Sequence, residues 1–291
     1  MNSLSSPETP KGLECDTTSH EFNVEGGNVP ITEYISRNPE SKVDGVCCVV
    51  LTGFKQMNLD DPIPAIASVC ANKFGKSVIV GETVIEGTKS PLEFVVNRHL
   101  AMLMAINNIV DKTQAREIIL VGFSRGGSLA LSLARGFPPT KLKASLKSII
   151  SLGAPKRPHW LNLPYFQSKS EFDFESGYYI VGNRGLRVPL FEAMDVSRFD
   201  PKKIINRLTK SGVNIHSVRM RGDRVVPRKD SVTDGINSML TPRLKTYLIS
   251  GDIDGLSPSD IHSWRGTERN RQLLVDVLGK ILDNERKEIK V

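Results

Sequence analysis

VGFSRGGSLA, residues 121–130, sets a serine among glycines where an apolar run gives way to an alanine- and leucine-rich one. A plain tight turn is one reading, since glycine permits sharp bends and serine is a common turn residue. The other is chemical: held on a strained strand-to-helix bend, Ser124 projects its hydroxyl clear of the backbone, where it can act as a nucleophile. The flanks favour the second. IILV before it reads as a buried strand and SLALSLA after it as a helix, the setting that gives Gly122-x-Ser124-x-Gly126 its meaning. Side chains at 122 and 126 would collide with neighbouring backbone, and the helix start lends its positive dipole end to a developing anion.

Outward from the bend, apolar runs alternate with helical patterns. VDGVCCVVLTGF reads as a strand, PIPAIASVCANKFG as a helix, KSVIVGE as a strand, and PLEFVVNRHLAMLMAINNIV as a long helix. After the bend come the strand LKSIISLGAP, the strand VNIHSVRMRG and a short last strand, YLIS. Leu273, Leu274, Val277, Leu278, Ile281 and Leu282 fall at helical spacing in a C-terminal amphipathic helix. Strands apolar throughout are buried on both faces, so the pattern predicts an α/β architecture with a mostly parallel central sheet flanked by helices. Residues 1–20 read as a disordered polar tail, and EFNVEGGNVPITEYI as a hairpin around Gly-Gly-Asn. Residues 21–291 are read as a single domain, interrupted from about 155 to 214 by an irregular, lid-like insertion. Its aromatic runs, PHWLNLPYF and YYIV, are candidates for lining an apolar acyl pocket.

Composition narrows the classes. The 291 residues, 39% apolar and 24% charged, suit one large core. The net charge of +7 is spread along the chain with no nucleic-acid-binding motif, so no nucleic-acid partner is expected; a weak contact with an anionic membrane surface is compatible with it. Cys15, Cys47, Cys48 and Cys70 lie in the first quarter without zinc-ligand spacing and are read as free thiols. No metal or organic cofactor is called for. The polar start lacks a secretory apolar stretch, and no later run reaches the roughly 18 apolar residues of a membrane span, which predicts a cytoplasmic protein.

A serine hydroxyl needs a base, and the base an orienting acid. Of five histidines, His20 falls in the tail, His99 within a helix, His159 at the start of the insertion and His216 within a strand. His262, in the polar loop SGDIDGLSPSDIHSWRG before the last helix, can reach over the carboxyl edge of the sheet. The acid belongs after a strand between serine and histidine, and Asp223 in GDRVVP fits; Asp254 is second, with Asp252 and Asp260 as further competitors.

With the order Ser124, Asp223, His262, the chain resembles the α/β-hydrolase superfamily, from about residue 43 to the C-terminal helix. Its elbow VGFSRGG, acid loop GDRVVP, late histidine loop, and SLGAP after the next strand are similar to those of lipases and esterases. The resemblance implies the α/β-hydrolase fold and a serine hydrolase acting on an ester or related acyl bond; our reading is a carboxylic ester of a small molecule or lipid, cleaved through an acyl-enzyme. A thioesterase or peptidase on the same triad, or an inactive binding protein of the same fold, are its alternatives. It also implies an oxyanion hole, with the backbone N–H of Arg125 as one donor. The second donor would follow an early strand, where the family often has His-Gly and this chain has Thr52-Gly53, which leaves Phe54, or else Lys55.

Overall fold

A computed structural model describes residues 13–52, 62–81, 91–134, 142–156, 170–173, 178–181, 186–189, 200–241, 243–264 and 266–289. Strands β3 (Val46–Leu51), β4 (Lys76–Val80), β5 (Glu117–Phe123), β6 (Ser145–Leu152), β10 (Asn214–Met220) and β11 (Leu244–Ile249) run parallel, and a hairpin of β1 (Cys15–Val24) and β2 (Gly27–Ser36) adds antiparallel to β4. The order across this eight-stranded sheet is β1-β2-β4-β3-β5-β6-β10-β11.

The continuous apolar strands are buried on both faces, as parallel strands must be when helices cover them. In β3 every residue is buried, with Cys47, Val49 and Leu51 facing one core and Cys48 and Val50 the other. Helices α2 (Pro91–Thr113), α3 (Arg125–Ala134) and α4 (Pro201–Lys210) cover the first face. Helices α1 (Pro62–Phe74) and α6 (Glu268–Ile289) cover the second, where Leu274, Leu278, Ile281 and Leu282 of α6 bear out the periodicity of the C-terminal segment. The cysteines are free thiols, three buried and Cys15 half-buried. Burial pushes the Cys47 thiol up to about 12 and that of Cys48 well above its ordinary value, so neither is a nucleophile near neutrality.

Two stretches fold more regularly than their composition predicts. The hairpin begins at Cys15, so residues 15–20 are strand and not the end of a disordered tail, and its turn falls at Glu25-Gly26. An exposed edge strand needs no apolar face, and β1 is mostly exposed. The insertion closes on α4: Asp200 caps it by accepting from the Lys203 N–H at 3.2 Å, Pro201 opens it, and Ile204, Ile205 and Leu208 are buried. Strands β7 (Ser170–Asp173), β8 (Tyr178–Val181) and β9 (Leu186–Pro189) form a separate antiparallel sheet within the insertion. PHWLNLPYF, His159 included, lies outside the described residues, as do the side chains of YYIV. Among the described residues, no helix is long and apolar enough to cross a membrane.

Candidate active site

Strand β5 ends at Phe123 and α3 begins at Arg125, so Ser124 alone makes the bend. Its φ of 51° is left-handed, a conformation costing a non-glycine residue on the order of 1–3 kcal/mol and sustained only where surrounding contacts dictate it. The contacts are at hand: the Ser124 N–H donates to the Leu152 carbonyl at 2.7 Å, and the Ser124 carbonyl accepts from the Gly127 N–H at 3.0 Å. A Cβ at 122 would lie 2.3 Å from the Gly126 carbonyl oxygen, and one at 126 would lie 2.2 Å from that of Leu51. Both glycines are therefore forced by backbone meeting backbone. Arg125 is buried as the first residue of α3, and its N–H is among those a helix cannot satisfy internally.

Asp223 follows β10 in a turn that its own carboxylate organises. Oδ1 accepts from the N–H groups of Val225 and Val226, both at 2.9 Å, which leaves Oδ2 directed at His262. His262 is the last residue of a short helix, α5 (Pro258–His262), where the sequence reads as loop. The missed signal is Ser257-Pro258-x-Asp260: the Ser257 hydroxyl accepts from the Asp260 N–H at 3.2 Å and donates to its carboxylate at 2.6 Å, a capping arrangement with proline at the first helical position.

The three side chains meet above the carboxyl edge of the sheet. The Nδ1–H of His262 donates to Asp223 Oδ2 at 2.8 Å, and His262 Nε2 lies 2.9 Å from Ser124 Oγ. His262 and Asp223 are buried and Ser124 is half-buried, so the hydroxyl is the exposed end of the chain of hydrogen bonds. Strand β6 lies between the strands that carry serine and aspartate, and the residue after it, Gly153, leaves room for the imidazole: a Cβ there would come within 3.2 Å of His262 Cε1. The Phe123 ring packs against the imidazole at 5.3 Å between centroids. Two residues past the histidine, buried Trp264 has a left-handed backbone (φ 58°), an outlier for so bulky a side chain.

Two of the three competing carboxylates have other partners. Asp252 pairs with Arg269 at 3.2 Å and Asp260 caps α5, while Asp254 is exposed. Of the other histidines, His20 lies in β1, His99 bonds Ser132 at 2.9 Å, and His216 bonds Glu285 at 2.9 Å. Phe54 and Lys55, the expected second oxyanion donors, lie with Gly53 outside the described residues. Sequence reading missed Phe123 as a support of the imidazole, since an apolar strand end announces no partner. Among the described residues no cluster of histidine, cysteine, aspartate or glutamate could hold a metal ion.

No protein-family model matches the chain, and no curated protein matches its sequence. Solved structures are similar over nearly its whole length. Est1E from Butyrivibrio proteoclasticus is 15% identical, with 92% of this chain and 98% of that one covered at a TM-score of 0.60. The carboxylesterase Cest-2923 from Lactobacillus plantarum WCFS1 is 14% identical, with 94% and 98% covered at 0.61. The acylaminoacyl peptidase of Pyrococcus horikoshii is 14% identical, with 93% of this chain but 42% of that one covered at 0.57. Sheet order, flanking helices and these similarities agree: the chain has the α/β-hydrolase fold.

Proposed function

We propose that the protein is a serine hydrolase cleaving carboxylic esters of small molecules or lipids, with Ser124 as nucleophile, His262 as general base and acid, and Asp223 as the group that orients the imidazole. One observation carries this reading: the unbroken hydrogen-bond chain from Ser124 Oγ through both nitrogens of His262 to Asp223 Oδ2, at 2.9 and 2.8 Å. In attack, Nε2 takes the hydroxyl proton as Oγ bonds the carbonyl carbon, and Asp223 stabilises the imidazolium. The Arg125 N–H and a second donor, which we assign to Phe54, hold the oxyanion. Protonated Nε2 then hands its proton to the departing alkoxide, leaving an acyl-serine. Water gives its proton to the same nitrogen as it attacks that ester, and Ser124 is released with the acid.

The esterases to which the chain is similar are covered over almost their full length, whereas the peptidase is covered for less than half, which favours an ester over an amide. Thioester cleavage uses the same steps with a thiolate leaving. Four free thiols support a reducing compartment, so we place the protein in the cytoplasm. The test is hydrolysis of p-nitrophenyl esters of increasing acyl length, together with labelling by a fluorophosphonate probe. Ser124→Ala is expected to lose labelling and at least about 10⁴-fold in kcat. Equal turnover by this variant and its parent would remove Ser124 from the reaction.

A further inference from the structure

The loop that carries Asp223 has a charge pattern the triad does not use. In RMRGDRVVPRKD, residues 219–230, five residues are basic and two acidic. Asp223 is fully engaged, by the Val225 and Val226 N–H groups and by His262. Among the described residues, the side chains of Arg219, Arg221, Arg224 and Arg228 make no ion pair or hydrogen bond, in contrast to the paired Lys73, Lys76 and Lys156 elsewhere on the surface. Arg221, Arg224 and Arg228 are exposed, but Arg219, one residue from the carboxyl end of β10, is half-buried.

Arg228 opens a short turn, residues 228–230, that is stitched to the loop after β6. The Val232 N–H donates to the Ala154 carbonyl at 3.1 Å, the Lys156 N–H to the Asp230 carbonyl at 2.5 Å, and Pro155 bridges Ser231. That loop begins at Gly153, beside the imidazole. Arg219 and Arg228 thus stand on either side of Asp223 in the segment that carries it, and that segment is bonded to the loop lying beside the imidazole. Burial lowers the basicity of Arg219, the charge of Asp223 partly restores it, and the charge of Arg228 lowers it again. A half-buried guanidinium without a partner of its own, its neighbouring carboxylate already committed to His262, is an arrangement that a bound anion relieves, because guanidinium forks fit carboxylate and phosphate oxygens. Ligands in open α/β sheets bind outside the carboxyl ends of the strands, the edge on which both arginines lie.

We infer that the substrate is an acidic ester, carrying a carboxylate or phosphate on its non-reacting part, and that Arg219 and Arg228 bind this anion while Ser124 takes the acyl carbon. The inference rests on the ester hydrolase reading above. It adds specificity: the anion anchors the molecule on the acid-loop side of the site, so the reacting carbonyl is held by charge as well as by shape.

The experiment compares kcat/KM for p-nitrophenyl butyrate with that for the monoanionic p-nitrophenyl hemisuccinate, in the full chain and in Arg219→Gln, Arg219→Lys and Arg228→Gln. The parent is expected to prefer the anionic ester by about 10-fold or more at low salt, and to lose most of that preference by about 0.5 M sodium chloride. Each glutamine variant should cut the anionic-to-neutral ratio by about 10-fold, with Arg219→Lys keeping part of it. Because the ratio is taken within each variant, a loss of folded protein cancels. Succinate and inorganic phosphate, tested as competitive inhibitors, tell carboxylate from phosphate as the preferred anion. An unaltered ratio in both glutamine variants, with butyrate turned over and Ser124→Ala inactive, overturns the anion site and leaves the hydrolase standing. Failure of every ester and of fluorophosphonate labelling overturns both. If phosphatidylserine vesicles speed both esters alike and the variants lose that gain instead of the ratio, the arginines serve a membrane surface and the acidic-substrate inference falls.

Discussion

Among the described residues there are two buried imidazole–carboxylate pairs, and they differ in what the second ring nitrogen meets. His262 gives one nitrogen to Asp223 at 2.8 Å and turns the other, at 2.9 Å, to a serine on a strained bend at the carboxyl edge of the sheet. His216, inside β10, bonds Glu285 of α6 at 2.9 Å, and its other nitrogen lies 3.1 Å from the Tyr247 hydroxyl of β11. The Asn214 amide donates to both Glu285 oxygens, at 3.1 and 3.2 Å, and the Arg243 guanidinium donates to the Asn214 carbonyl oxygen at 2.9 Å. Each pair spans two elements distant in sequence. The second is closed on every side and does what buried polar networks do, fixing the C-terminal helix on the sheet. The first is left with one hydroxyl at its exposed end, so position on the sheet, and not the pairing itself, separates the pair proposed for chemistry from the architectural one.

Removing the acid from each pair should break the comparison most visibly. Asp223→Asn keeps the size of the side chain but disfavours the tautomer that presents a basic Nε2 to Ser124, and kcat for ester hydrolysis is expected to fall by about 10⁴-fold. Glu285→Ala should leave kcat/KM within about 2-fold of the parent, since its network touches none of Ser124, Asp223 and His262. Its cost is to folding. The His216 imidazole would be left buried without its acceptor and the Asn214 amide with Glu288 alone, and urea denaturation should report a loss of about 3 kcal/mol or more. A large rate loss in Glu285→Ala with unaltered stability would mean that the two pairs are coupled.

The same carboxylate gives the comparison a pH dependence. Burial alone would raise the pKa of Glu285, but its hydrogen bond to His216, the charge of His216 and the Asn214 amide outweigh burial and hold it below its ordinary value. A carboxyl group lowered in the folded state contributes stability that is complete above the unfolded pKa and is lost as pH falls through the folded one. Stability of the parent should therefore drop on acidification below about pH 4.5, and Glu285→Gln, which cannot titrate, should show a shallower decline over that window. Equal slopes in denaturation midpoint against pH would remove Glu285 from the acid limb.

What the sequence disclosed of these features follows from how local each one is. The elbow was legible because strand, bend and helix are contiguous in VGFSRGGSLA, and the glycines mark close approaches within and beside it. Asp223 and His262 were legible by type and order, although the hydrogen bond joining them crosses 39 residues and no local pattern encodes that meeting. Helices α4 and α5 escaped because each is short and begins in a polar, proline-marked stretch that resembles a loop until its cap is counted. The first half of β1 escaped because residues 16–19 are all exposed at the sheet edge and leave no alternation to read, whereas EFNV, which alternates, was legible as one arm of the hairpin. The His216 network was invisible for a further reason: His216 reads as one residue of a strand and Glu285 as one of many charges on an amphipathic helix, and only the packing of α6 on β10 brings them together.

The smallest effect belongs to the tyrosine that closes the second pair. Tyr247→Phe deletes a single hydroxyl, 3.1 Å from His216 Nδ1, and keeps the ring, which stacks on the imidazole at 5.9 Å between centroids. One hydrogen bond to a half-buried hydroxyl contributes about 1 kcal/mol net, so the expected loss is of that order, read as a shift in urea midpoint with the slope unaltered. The corresponding position in the first pair is the Ser124 hydroxyl, whose removal should cost most of the activity and little stability, since that hydroxyl is half-buried and water can take its place at His262 Nε2. The two hydroxyl deletions thus exchange signs of effect: one moves folding and not rate, the other rate and not folding. If Tyr247→Phe instead slowed hydrolysis severalfold, the tension of α6 against the sheet would have to reach the imidazole of His262 through the loop between β11 and α5, and the second pair would count as support for the first.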